Sequence, residues 1–164
     1  MTETHLWTEA YQGEVLGEAF FAALAEREED AERRQQLEVL CCMERATKEL
    51  AEPVLERRGI DRGDTAATLA AVPAMVEGVG PMAWEDFLGS FQPVISQFLA
   101  KYRELEAQAS DEEERQVASA YVAHELALEA FIRRALDEQG GDPLEPVLAL
   151  PHVAPPAATP GRST

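Results

Sequence analysis

Apolar residues recur at every third or fourth position through four long stretches of this chain, and period-two alternation is almost absent. A chain patterned this way can bury its stripes only by packing helix against helix. The first stretch covers residues 5–29, and Asp30 and Ala31 mark a short break before the second, residues 31–58. Gly59 ends the second as a C-cap would, and Pro53 is expected to kink it or end its regular part early. The third runs from about Ala83 to Ala109 with Pro93 inside it. The fourth opens at SDEEE, where Ser110 and Glu113 have capping-box spacing, and closes before Gly140 and Gly141.

The links within the first and second pair of helices are very short, so each pair is expected to form an antiparallel hairpin. About 25 residues, from Gly59 to Ala83, separate the hairpins, enough to cross the bundle from end to end. They hold one small helix, capped by Asp64 and running through AATLAAV. The expected fold is therefore all-α: four helices in two antiparallel hairpins joined by a long crossover, with helices two and three roughly parallel. Residues 1–150 read as the single domain, and residues 151–164, rich in Pro and Ala, as a poorly ordered tail. The crossover is apolar at Leu69, Val72, Met75, Val76, Val79 and Met82, and a homodimer is expected to cover these residues.

Charge narrows the partners. Against 14 basic residues stand 31 acids, a net charge of −17, so a phosphate backbone would be repelled and nucleic acid is excluded as a partner. The most apolar stretch is interrupted by Pro73, Glu77, Gly78, Gly80 and Pro81, which excludes a membrane span. The N-terminus has no basic n-region followed by an apolar core, so no secretory signal is expected. Cys41 and Cys42 are adjacent on a helix and point about 100° apart, too divergent to bridge each other. A reducing, cytoplasmic location follows as the expectation. Phosphate-binding glycine loops and the Gly-x-Ser-x-Gly pattern are absent.

The four stripes differ in one respect. Helix three presents Trp84, Leu88, Phe91, Ile95, Phe98, Tyr102 and Leu105, with no acid among them, and reads as ordinary core. Helix one puts Glu14 and Glu18 on the face of Tyr11, Phe21 and Ala25. Helix two places Glu44 in a row with Leu37, Leu40, Cys41, Thr47 and Ala51. Helix four reads VASAYVAHELALEAF, with His124 on the stripe of Val117, Tyr121, Leu128 and Phe131, and Glu125 at its edge. Isolated carboxylates in a core become protonated or find a partner. Several acids and one imidazole converging there call for protons, bases or a metal. Against this stands plain solvation: Glu14, Glu18 or Glu125 could each reach solvent at a stripe edge, and Lys48 could pair with Glu44 one turn away. His5 and His152 stand near the chain ends and receive no role.

The stretches AYQGEVLGEAFFAALA, LEVLCCMERATKEL and YVAHELALEAF resemble the first, second and fourth helices of the ferritin-like superfamily in its small rubrerythrin-type form, over residues 5–137. Members with a di-iron centre draw on their four helices for a Glu, a Glu-x-x-His, a second Glu and a second Glu-x-x-His. The resemblance implies Glu14 as the first ligand, with Glu18 as its substitute, Glu44 as the second-helix Glu, and His124 as the fourth-helix histidine. Thr47 stands where the first histidine would be, Tyr121 where the last Glu would be, and helix three offers no acid. Glu14 or Glu18, Glu44 and His124, with Glu125 in reserve, would then hold a single ion. Hard oxygen donors with one imidazole suit iron, manganese or zinc. Two classes stay open: a metal-binding protein with redox or oxygen-related chemistry on an unidentified small molecule, or a metal-free bundle serving as a binding or oligomerisation module.

Overall fold

The computed structural model describes residues 2–137 and 140–153, and among these every regular element is a helix. α1 (Glu3–Arg27) starts where the Thr2 hydroxyl accepts the His5 N–H at 3.4 Å. α2 (Ala31–Arg58) starts at Asp30, whose carboxylate accepts the Arg33 N–H at 2.9 Å. It stops at Gly59, whose φ of 61° favours a residue without a Cβ. Of the two outcomes expected of Pro53, an early end of α2 does not occur: the helix continues past it to Arg58. Ala51, Val54 and Leu55 are fully buried around it, and their packing outweighs the one helical bond the ring removes.

The crossover carries two helices rather than one. α3 (Thr65–Ala70) is capped by Asp64 through the Ala67 N–H, and α4 (Val72–Val79) follows with Pro73 in its first turn. The third long stretch likewise divides, into α5 (Trp84–Gly89) and α6 (Gln92–Gln108). Pro93 falls in the first turn of α6, where its missing N–H leaves no bond unmade. α7 (Glu112–Leu136) is capped one residue later than the sequence implied. Asp111 accepts the Glu114 N–H at 2.9 Å, and the Glu114 carboxylate accepts the Ser110 N–H at 2.7 Å. A short α8 (Glu145–Leu148) packs on α7 and α2.

Residue pairs give the directions. Glu3 meets Arg58, Tyr11 meets Glu52 and Glu18 meets Arg45, so α1 and α2 are antiparallel. Glu9 meets Lys101 and Phe21 stacks on Phe91, so α6 also opposes α1. Arg57 meets Asp111 while Thr47 meets His124, which opposes α7 to α2. α2 and α6 therefore run the same way, and the crossover spans the length of the bundle to join them. No helix among the described residues is long and apolar enough to cross a membrane.

Val72 and Val76 turn into the core, so of the crossover residues expected to be uncovered only Leu69, Met75 and Met82 are exposed, with Val79 half-buried. The core is in two parts. One gathers Phe20, Phe21, Leu37, Leu40, Leu128 and Phe131; the other gathers Leu6, Trp7, Tyr11, Leu55, Leu105 and Tyr121. Between them on α1, α2 and α7 lie residues 14, 44, 47, 124 and 125, all buried. The bundle is thus apolar at both ends and polar in the middle. Beyond position 150 the chain does not leave the domain at once: Leu150 and Val153 are buried. The rest of the expected tail, 154–164, lies outside the described residues.

Candidate metal centre

α1, α2 and α7 bring Glu14, Glu44 and His124 together, with one ligand atom from each lying within 4.8 Å of the others. Glu14 and His124 are each 1% exposed and Glu44 is 6% exposed. The His124 ring lies between the two acids, Nδ1 at 3.4 Å from Glu14 Oε2 and Nε2 at 3.4 Å from Glu44 Oε1. Those are ionic contacts, longer than good hydrogen bonds. Glu14 Oε2 consequently has no hydrogen-bond partner although it is buried. A buried acceptor without a partner, beside a second carboxylate and an imidazole, is a place where a proton or a cation can be held.

Gly17 makes room for this arrangement. A Cβ at that position would overlap the Glu44 carboxylate, so α2 can press its acid against α1 only because the backbone there is bare. Thr47 supplies the other restraint. Its Oγ1 donates to the Met43 carbonyl one turn back at 3.0 Å and lies 2.8 Å from His124 Nδ1 and 2.9 Å from His152 Nε2. A hydroxyl has one proton, and with that proton on Met43 both imidazoles must donate to the oxygen. The His124 tautomer that fits this network carries its proton on Nδ1, which leaves Nε2, beside Glu44, free to accept a proton or hold an ion. Metal-ligating histidines are commonly oriented this way, by an acceptor on the far nitrogen.

Burial and the mutual charge of the acids dominate the electrostatics of the cluster. Burial, then the charge of Glu44 and of Glu125, push the Glu14 carboxyl well above the usual range. Burial also drives Glu125 up to about 7, with the Glu44 charge adding to it and His124 opposing. For His124, burial works against the charged form, but Glu44 and then Glu125 prevail and raise it above an ordinary imidazole. Tyr102 and Tyr121 are both raised well above an ordinary phenol by burial and next by Glu14. The Tyr121 hydroxyl, like Glu14 Oε2, is buried without a partner.

Two of the residues named from sequence stand apart. Glu18 is not in the cluster: one turn beyond Glu14 it turns outward and pairs with Lys48 and, at 2.7 Å, with Arg45. Burial alone would raise its carboxyl, but the Lys48 and Arg45 hydrogen bonds hold it below the usual range. Lys48 is thus spent on Glu18, leaving Glu44 without a lysine partner. Glu125 is buried nearby, 5% exposed, but does not belong to the close group of three. His152 was missed: placed by α8 and the turn after it, it is the second imidazole on Thr47. Its only sequence signal is the apolar segment PLEPVLAL, which anchors the chain just before it.

Among the described residues Glu14, Glu44 and His124 are the one group placed closely enough to hold an ion; Thr47 and Tyr121 beside them are not acids, and α6 faces the cluster with Phe98 and Tyr102. Comparison with family models, with curated proteins and with solved structures found no match.

Proposed function

We propose that this chain is a ferritin-like helical bundle that binds a single transition metal ion, iron, manganese or zinc, through Glu14, Glu44 and His124. The observation that carries the reading is the buried, orphaned Glu14 Oε2 facing Glu44 and a His124 already oriented through Thr47. The shared direction of α2 and α6, with the crossover between them, supports the ferritin-like assignment. Bound iron or manganese would supply redox or oxygen-related chemistry, and zinc a Lewis acid. The chain's own part is to hold the ion in a water-poor layer, with Glu125 as the nearby carboxyl able to hold a proton and Tyr102 and Tyr121 closing the layer.

The setting we propose is cytoplasmic, on the strength of two unpaired cysteines, Cys41 and Cys42. The charge of −17 supports a partner other than nucleic acid. A homodimer through exposed Leu69 and Met82 would show as doubled mass in light scattering at high micromolar concentration.

The decisive experiment is elemental analysis of protein purified without chelator and then offered iron, manganese and zinc. We expect about one equivalent in the wild type and none in His124→Ala; below about a tenth of an equivalent the reading is rejected. The second reading, a metal-free binding or oligomerisation module, draws on the same cluster's capacity to neutralise itself. His124 with a raised pKa can stay charged while Glu14 keeps its proton.

A further inference from the structure

A cavity of about 240 Å³ lies between α1, α4, α5 and α6, and its inner end is formed by Glu14, Glu44 and Glu125. Its outer end is marked by Met75 and Val94, 37% and 42% exposed, so it opens to solvent. Between the two ends the wall is aromatic, with Phe20, Phe21, Phe87, Phe91 and Phe98. Near the carboxylates, Gly13 and Gly17 of α1 add no side chain to this wall. Phe91 and Phe98, read from sequence as ordinary core, are only half-buried because they face this space. A well-packed bundle fills such a volume with side chains; here small residues keep it open up to the carboxylates.

We infer that the cavity is the substrate pocket of the metal centre, and that it takes a small, uncharged hydrophobic molecule. The chemistry of that substrate rests on the metal reading; its binding does not. An apolar cavity of about 150 Å³ accepts benzene, so this one holds a molecule of about ten carbons. Charge selects the class. Among the described residues no lysine or arginine lines the cavity, so a buried anionic head group finds no cationic side chain along its wall. A hydrated organic cation would have to shed its water along a wall in which Ser90 and Tyr102 are the polar interruptions before the carboxylates. An uncharged chain or ring gains from every wall it touches and arrives with its end at the Glu14–Glu44 layer.

The test uses 1-decanol as the probe, sodium decanoate as the anionic control, and protein labelled with ¹³C at the methionine methyl groups. Decanol should shift the Met75 methyl saturably and give nuclear Overhauser contacts to Phe98, and decanoate should bind at least tenfold more weakly. Val94→Trp and Met75→Trp, both at exposed mouth positions, should weaken decanol binding at least tenfold while thermal unfolding and metal content stay as in the wild type. No saturable binding, contacts away from Phe98, equal affinity for decanoate, or indifference to both tryptophans would overturn the inference. Should decanol bind as expected to a protein that takes up no metal, the pocket stands and the metal reading falls. A protein that takes up metal and ignores decanol gives the reverse.

Discussion

α7 buries two glutamates, and their surroundings are opposite. Glu114, 1% exposed at the start of the helix, accepts the Ser110 N–H at 2.7 Å and lies 3.1 Å from Arg58 and 3.7 Å from Arg57. Glu3 joins the same group through Arg58 at 2.6 Å. Three turns on, Glu125 is nearly as buried, yet its neighbours are Glu44, Glu14 and a single imidazole. The first acid has cations and a backbone donor; the second shares a deficit of positive charge with two others. A buried acid whose partners are all present is explained by the fold. One whose partners are other acids requires a proton or an ion from outside.

Replacing one acid from each group should separate the two roles most sharply. Glu14→Gln removes a carboxylate that has no hydrogen-bond partner on Oε2, so the metal-free protein should gain roughly 1 kcal/mol while metal uptake is abolished. Glu114→Gln should keep full metal uptake and lose about 1–3 kcal/mol, the worth of a charged hydrogen bond. Its arginines remain half-exposed and stay hydrated, which keeps the loss from being larger. Urea unfolding with chelator and with excess metal reads both effects. If Glu14→Gln destabilised the chelated protein and left metal uptake intact, the distinction between the two groups would be lost.

The pH dependence carries the same contrast. Glu125 has a folded pKa of about 7 against an ordinary 4.5, so the folded chain holds a proton that the unfolded chain releases. Unfolding free energy should then fall as pH rises from about 4.5 to about 7, by up to about 3 kcal/mol, and level off above. His124, also raised, adds a further decline above its ordinary 6.5 as pH rises. Glu18 has the opposite sign: its lowered carboxyl adds stability above its ordinary 4.5 that is lost as pH falls. Glu125→Gln should make the wild-type slope between pH 5 and 7 shallower, leaving the part contributed by Glu14, which is raised in the same direction. An unchanged slope would place the titrating group elsewhere.

How much of this could be read in advance follows from what each residue depends on. Helical period and the spacing of polar positions are local properties, so the stripes, Asp30, Gly59 and Asp64, and the inward direction of Glu14, Glu44 and His124 were legible. Glu18 was not separable from Glu14 by period alone. What turns it outward is Arg45 and Lys48 on another helix, a tertiary fact. Pro93 was read as lying inside one helix because the apolar spacing continues across it, although its ring favours the first turn of a new one. Thr47 was visible only as an absent histidine, and its role as a shared acceptor needed His124 and His152 in place.

Thr47→Val tests that shared acceptor. The isosteric change leaves the His124 Nδ1–H buried with no hydroxyl to receive it, which should cost about 1–3 kcal/mol. Losing the group that orients a metal-binding histidine should also weaken metal affinity about 10- to 100-fold. Affinity measured by competition with a calibrated chelator would check this. Unaltered affinity would show that Thr47 only fills space.

His152→Ala should have the smallest effect, because the residue is half-buried and touches the ligands only through Thr47. Leu150 and Val153 would still hold the segment against the core, so the loss should be no more than about 1 kcal/mol, one neutral hydrogen bond. Burial and then the charge of His124 keep the His152 imidazole below its ordinary 6.5. Below that pH the unfolded chain takes up a proton that the folded chain resists, so stability falls as pH falls, and the alanine variant should lose this limb. In ¹⁵N spectra the variant should keep His124 protonated on Nδ1, since the Met43 carbonyl still takes the Thr47 proton. A switch of that proton to Nε2 would mean that His152 sets the tautomer, and it would bring the C-terminal segment into the machinery of the site.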